Sequence, residues 1–304
     1  MKLDQIEPCE SYTVLFEGHQ LIYRAYFKEQ TGNPIVFVHG LVASVDFFAD
    51  ENFRQMRALG PVYSIALPGH APGKAVSQHF KTDERLLADA VAAQLHDFLK
   101  GRKATLIGHS TGATAALACA IHHPELVESV VVCDGSSRGR ETNGIFRLLQ
   151  WLVLRLGGLG TLIFKTIFRL NSYSLWTNKQ FLVDLFADKS RMASYPFMDV
   201  TQRKYFPALQ QLDLDVMKSM FADLDTVDLV PSLHLITVPV QVIIGDKDPY
   251  VPMDEALAIV KAIPHAQLHV IAGGGHLPFF ETPEEFEATI TGFVLSQRKV
   301  VTAA

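Results

Sequence analysis

Residues 104–112 read Ala-Thr-Leu-Ile-Gly-His-Ser-Thr-Gly, and the fold turns on how Ser110 is placed within them. The run 104–107 is almost wholly apolar, as suits a strand buried on both faces. The Ala-rich run 111–122, which stops short of Pro124, suits a helix. Ser110 therefore stands on a sharp strand-to-helix turn. Such a turn crowds any Cβ two positions to either side, and Gly108 and Gly112 occupy those positions. It also lifts the hydroxyl clear of the sheet at a helix N-terminus, where backbone N–H groups favour negative charge. A Gly-x-Ser-x-Gly pentapeptide alone fits a glycine-rich turn with a capping serine equally well. The surroundings decide between the two: a strand before, a helix after, and partners farther along the chain.

Residues 12–27 carry β-branched and aromatic residues on both sides of Glu17-Gly18, where Gly18 can supply the positive φ of a tight turn, and predict an antiparallel hairpin. Residues 34–38, 62–67 and 130–133 are further short apolar runs. Residues 83–100 predict a helix with Thr82 as N-cap, a stripe of Leu86, Ala90, Leu95 and Leu99, and Gly101 past its end. Strand and helix in alternation imply right-handed crossovers and a parallel sheet. After Asp134 the alternation stops, and residues 135–231 show helical patterns without a comparable strand run. It resumes with strands at 240–244 and 267–271, a helix at 252–262, and a helix at 283–295 that opens on Thr282-Pro283-Glu284-Glu285. The predicted fold is α/β: a mostly parallel central sheet flanked by helices, with core residues 1–134 and 232–304 and a helical cap at 135–231.

Two loops extend the pattern. Gly245-Asp246-Lys247-Asp248 follows the run 240–244, and Gly273-Gly274-Gly275-His276 follows the last strand. Together with the pentapeptide around Ser110, these loops resemble the α/β-hydrolase superfamily, in its serine-nucleophile, cap-bearing, esterase/lipase-like branch, over residues 35–134 and 239–293. The resemblance implies the chain order nucleophile, acid, histidine, which selects Ser110, Asp248 and His276. Asp246 and Asp134 stay open as alternatives for the acid. It further implies an oxyanion hole built from the backbone N–H groups of Leu41 and Thr111, with His39 shaping the loop and His109 packing beside the nucleophile. The chemistry needs these types together: a serine is a weak nucleophile until a histidine takes its proton, and a carboxylate fixes the tautomer and stabilises the imidazolium. Pro68-Gly69-His70 keeps part of the family pattern, while Ala66, Leu67 and Ala71 depart from it. Trp151 and Leu277 are the candidate pocket residues.

Serine rather than aspartate at position 110 argues against the alkylated-aspartate chemistry of dehalogenases and epoxide hydrolases. The expected activity is hydrolysis of a carboxylic ester, or a related acyl bond, of a small and largely apolar substrate through an acyl-enzyme. No cofactor is expected, and no metal: His70, His79, His122 and His123 lack ligand spacing with carboxylates or thiols. The alternatives are C–C bond hydrolysis or acyl transfer by the same residues, and a ligand receptor with residual hydrolysis.

Composition narrows the partners. The 304 residues carry 27 basic and 32 acidic side chains, a net charge of -5, so no overall positive field favours nucleic acid. With 48% apolar and 19% charged residues, global disorder is excluded. Cys9, Cys119 and Cys133 are too few and too scattered for a disulfide framework. Residues 1–10 place charges and a proline where a signal peptide has its apolar stretch, and a cytoplasmic location is expected. The apolar stretch 145–170 is interrupted by Arg147, Arg155, Lys165 and Arg169, which argues against a membrane span. Between Arg138 and Lys179 seven basic side chains face Glu141 alone. Apolar helices so punctuated line an acyl pocket, lie weakly on an anionic membrane surface, or simply pack a cap onto its core. An apolar pocket with a preference for medium-length acyl or aromatic groups is the expectation; the oligomeric state is not legible.

Overall fold

The computed structural model describes residues 9–48, 56–77, 79–139, 144–195 and 198–302. Its strands are β1 (Glu10–Phe16), β2 (His19–Tyr26), β3 (Ile35–Val38), β4 (Val62–Ile65), β5 (Ala104–His109), β6 (Val127–Cys133), β7 (Val240–Gly245) and β8 (Gln267–Ile271). They form one sheet in the order β1-β2-β4-β3-β5-β6-β7-β8. β1 pairs antiparallel with β2, and β2 with β4; every pairing from β4 to β8 is parallel. The expected hairpin is present, with Glu17 and Gly18 both at positive φ, 46° and 83°, the twist that a two-residue turn needs to match its strands.

Around the sheet lie α1 (Glu84–Leu99) and α2 (Thr111–His122), and later α9 (Met253–Ala262), α10 (Pro278–Glu281) and α11 (Pro283–Thr302). Alternate residues of the short central strands point to opposite faces, and both faces are dry. Val36 and Val38 pack into the layer of α1, α2 and α9, while Ile35 and Phe37 pack into the layer that holds Phe286, Ile290 and Phe293 of α11. This two-sided burial is why the strands read as unbroken apolar runs rather than alternating ones. The N-cap of α1 is Asp83, not Thr82. The Asp83 side chain accepts from the Leu86 N–H at 3.0 Å, whereas Thr82 is buried and its N–H donates to Asp223 at 2.7 Å. A carboxylate one residue later reaches the orphan N–H groups of the first turn and adds charge that favours the helix dipole.

Between β6 and β7 the described residues form α3 (Gly144–Arg155), α4 (Gly157–Asn171), α5 (Leu175–Val183), α6 (Lys189–Ser194), α7 (Met198–Gln210) and α8 (Leu214–Leu224), with no strand among them. Their inward side chains, Phe164, Leu182, Tyr205 and Met217 among them, join the same apolar cluster as Phe37 and α11. The insertion thus sits over the face onto which β5 delivers Ser110.

Candidate active site

Ser110 joins β5 to α2 with φ 53° and ψ -123°, a left-handed conformation unfavourable for any side chain. What holds it there is close backbone packing. A Cβ on Gly108 would lie 2.3 Å from the Gly112 carbonyl oxygen, and one on Gly112 would lie 2.1 Å from that of Val38. Gly40 faces Ser110 in the same way, since its Cβ would stand 3.1 Å from that of Ser110. The Ser110 N–H donates to the Cys133 carbonyl at 3.1 Å, tying the turn to the end of β6.

His276 and Asp248 meet at the C-terminal edge of the sheet. His276 Nδ1 and Asp248 Oδ2 are 2.8 Å apart, with the aspartate side chain wholly buried and the ring nearly so. The other carboxylate oxygen accepts N–H groups from Tyr250 at 2.7 Å and Val251 at 3.0 Å. Burial opposes the charge of Asp248, but the His276 ring and these two N–H donors outweigh it and hold the carboxyl below its ordinary range. Asp134 lies directly behind. It is fully buried, its Oδ1 accepts the Gly245 N–H at 2.8 Å, and it hydrogen-bonds Asp248. Burial, reinforced by the charge of Asp248, pushes the Asp134 carboxyl well above its ordinary range, the opposite direction to Asp248. Asp246 turns away: its Oδ1 accepts the Gly273 N–H at 2.6 Å and it does not touch the ring.

Two neutral histidines shape the loop after β3. The Leu67 N–H donates to His39 Nε2 at 3.2 Å, so His39 Nδ1 carries the proton and donates to the Gly40 carbonyl at 2.8 Å. The Val42 N–H donates to His70 Nε2 at 3.2 Å, and His70 Nδ1 donates to the Pro68 carbonyl at 3.0 Å. Burial holds His39 well below its ordinary pKa and pushes His70 down to about 4, which keeps both rings neutral in these roles. Val42 is so engaged at φ 57°, and Leu41 and Thr111, the first residue of α2, both line the same cavity. His109 is neutral as well, pushed down to about 3 by burial with His276 close by. Its Nε2 donates to the His276 carbonyl at 2.8 Å, a second tie between the serine turn and the histidine loop.

Ser110, Thr111, Leu41, His276 and Leu277 all line one cavity of about 390 Å³. Its remaining wall is mostly apolar and comes largely from the insertion, including Val153, Phe164, Phe168 and Leu182. Trp151 is not part of it. That side chain is 53% exposed on α3, because two residues along a helix is about 200° of rotation and the inward position belongs to Val153. Sequence reasoning also missed Tyr250, whose ring lies 5.2 Å from that of His276 in the same wall, and Glu281. The Glu281 carboxylate accepts the Gly275 N–H at 2.9 Å and the Ala187 N–H at 3.1 Å, while the His276 N–H donates to the Leu185 carbonyl at 2.9 Å. The histidine loop is therefore laced to the segment between α5 and α6. A lone acid in the aromatic run 277–281 was the available signal. Glu281→Ala should strand these buried N–H groups and cost about 1–3 kcal/mol, read as a lower thermal midpoint that Glu281→Gln, still an acceptor, largely restores.

The sequence matches the alpha/beta hydrolase family over residues 35–289, and the chain belongs to that family. Over its full length it is 26% identical to the 2-hydroxy-6-oxo-6-(2'-aminophenyl)hexa-2,4-dienoic acid hydrolase of Metapseudomonas resinovorans, covering 98% of that protein. Among solved structures, it resembles an enol-lactonase from Burkholderia xenovorans (TM-score 0.73, 19% identity, 93% of this chain and 100% of that one). An esterase from a Rhodococcus species matches with TM-score 0.73 and 19% identity over 95% of this chain and 99% of the other. The protein is a hydrolase of the alpha/beta fold.

Proposed function

We propose that the protein is a serine hydrolase that cleaves a carboxylic ester of a small, largely apolar substrate. The observation that carries this is the convergence of a strained Ser110 and the His276–Asp248 pair on one apolar cavity. In this reading His276 Nε2 takes the Ser110 proton as Oγ attacks the ester carbonyl, and Asp248 stabilises the imidazolium through Nδ1. The N–H groups of Leu41 and Thr111 receive the oxyanion, each contributing about 3 kcal/mol. His276 then protonates the departing alcohol. Water, deprotonated by the same ring, releases the acid from Ser110. Residues 135–231 act as a cap that selects the substrate, set on a core of 1–134 and 232–304.

C–C bond hydrolysis is the second reading, favoured by the full-length similarity to a dienoic acid hydrolase. The cavity weighs against that substrate class: among the described residues no lysine or arginine lines it to receive a carboxylate. A series of p-nitrophenyl esters tests the choice. Turnover should rise from acetate to a medium chain. Turnover fastest on acetate would overturn the apolar, medium-chain preference, and turnover confined to an oxo-dienoate would overturn the ester reading.

A further inference from the structure

The cavity has a polar end whose orientation can be worked out atom by atom. The Leu175 carbonyl can only accept, so the Gln202 atom 2.8 Å from it is the Nε2 donor. That same nitrogen lies 2.9 Å from Asn178 Oδ1, which also accepts the Tyr205 hydroxyl at 2.7 Å. Asn178 must then use Nδ2 toward Asn171, whose Oδ1 accepts it at 2.8 Å. The Asn171 Nδ2 group is left over, and among the described residues it has no hydrogen-bond partner. Asn171 is 7% exposed, ends α4, and lines the cavity on the helix face that carries Phe164, Ile167 and Phe168. An amide donor without a protein partner, on a residue that lines an apolar cavity, favours a ligand that can accept from it. The absence of lysine or arginine from the described wall makes that acceptor neutral.

We infer that Asn171 is a specificity residue for a substrate bearing a ketone, ester, amide or ether oxygen away from the bond that is cleaved. This rests on the proposed hydrolase reading for its turnover assay. Wild-type protein should process at least one p-nitrophenyl alkanoate with an oxo group along its chain about tenfold or more better, in kcat/KM, than the plain alkanoate. Asn171→Asp keeps the acceptor for Asn178 but offers no donor, and should reverse the preference; Asn171→Leu should bring the ratio near unity. Binding keeps the test independent of catalysis. In Ser110→Ala protein an alkyl phenyl ketone should bind about tenfold more tightly than the alkylbenzene of equal length, and added Asn171→Asp should remove that difference. Equal ratios in all variants, with esters turned over, overturn the Asn171 role alone. Absent ester turnover with the ketone effect intact overturns the ester reading alone.

A second inference stands on the opposite face of the same helices. Leu148 and Trp151 of α3, Leu159 and Leu162 of α4, and Tyr173 and Trp176 just beyond are each at least 53% exposed. Arg147, Arg155 and Arg169 are exposed among them, with no ion pair among the described residues, whereas Lys165 is paired to Asp215. A helix pair apolar on both faces has an unmet partner, and unpaired arginines with interfacial tryptophan and tyrosine fit an anionic lipid surface. Among the described residues no helix is long and apolar enough to cross a membrane, which leaves the surface as the docking depth. We propose that α3 and α4 dock on anionic bilayers. Both tryptophans of the chain lie here, so fluorescence reports on the face directly. Phosphatidylglycerol-containing vesicles should shift the emission to the blue and co-sediment the full chain at low salt, with pure phosphatidylcholine weaker. Leu162→Glu with Leu159→Glu should reduce binding about tenfold or more. No co-sedimentation with either vesicle overturns the proposal, as does a dimer that the same substitutions dissolve without vesicle binding.

Discussion

Ser110→Ala is expected to abolish covalent labelling by a fluorophosphonate and to lower kcat by roughly four to six orders of magnitude, a loss of about 5–8 kcal/mol in transition-state stabilisation. The size follows from the site's construction. On the proposed mechanism, removing Oγ removes the covalent route altogether, while the Leu41 and Thr111 N–H groups and the cavity wall stay in place and would support only a residual rate. The fold should survive, because the turn is held by Gly108, Gly112 and the Ser110 backbone rather than by the hydroxyl. Ser110→Gly supplies the control. It too lacks the nucleophile, but glycine accepts φ 53° without a Cβ penalty, so its thermal midpoint should exceed that of Ser110→Ala. Labelling that persists in Ser110→Ala protein would place the nucleophile elsewhere.

The architecture was legible where burial on both faces or a backbone constraint wrote itself into the residue types. The apolar runs that became β3 to β7 could be read because parallel strands between two layers have no polar face to show. Gly108 and Gly112 could be read because no side chain fits there. Contacts between distant segments left weaker traces. Trp151 was a pocket candidate as part of the apolar run of the insertion, yet helix phase, not residue type, decides which side faces inward, and Val153 holds that side. Nothing in the local sequence of Asn171 announces that Asn178 reaches it from α5 while being held there by Gln202 and Tyr205 of α7. Asp134 and Asp248 both stood as candidates because each ends or follows a strand at the same sheet edge, and only their three-dimensional surroundings, the His276 ring and two N–H donors at Asp248 against burial at Asp134, set them apart.

That separation yields the other large effect. Asp248→Asn is expected to lower kcat about ten-thousand-fold, since an amide in that place cannot stabilise the imidazolium or hold the required tautomer. Asp134→Asn should stay within about tenfold of wild type: burial already pushes the Asp134 carboxyl toward its neutral form, the asparagine carbonyl can still accept from Gly245, and its amide can donate toward Asp248. A loss as large as that of Asp248→Asn would make Asp134 the working acid. Stability should respond to pH with opposite signs at the two positions. The Asp134 carboxyl is raised on folding, so its contribution is complete below the unfolded value of about 3.9 and is lost as pH rises toward the folded value. Asp134→Asn should therefore gain thermal midpoint over wild type as pH increases from about 4 to 8. The Asp248 carboxyl is lowered, so its contribution is present above about 3.9 and lost as pH falls through the folded value. Asp248→Asn should accordingly lose most at neutral pH and least in acid. Thermal unfolding of the two variants across that range measures both slopes, and parallel slopes would show that the two carboxyls share one charge state instead of dividing a proton unequally.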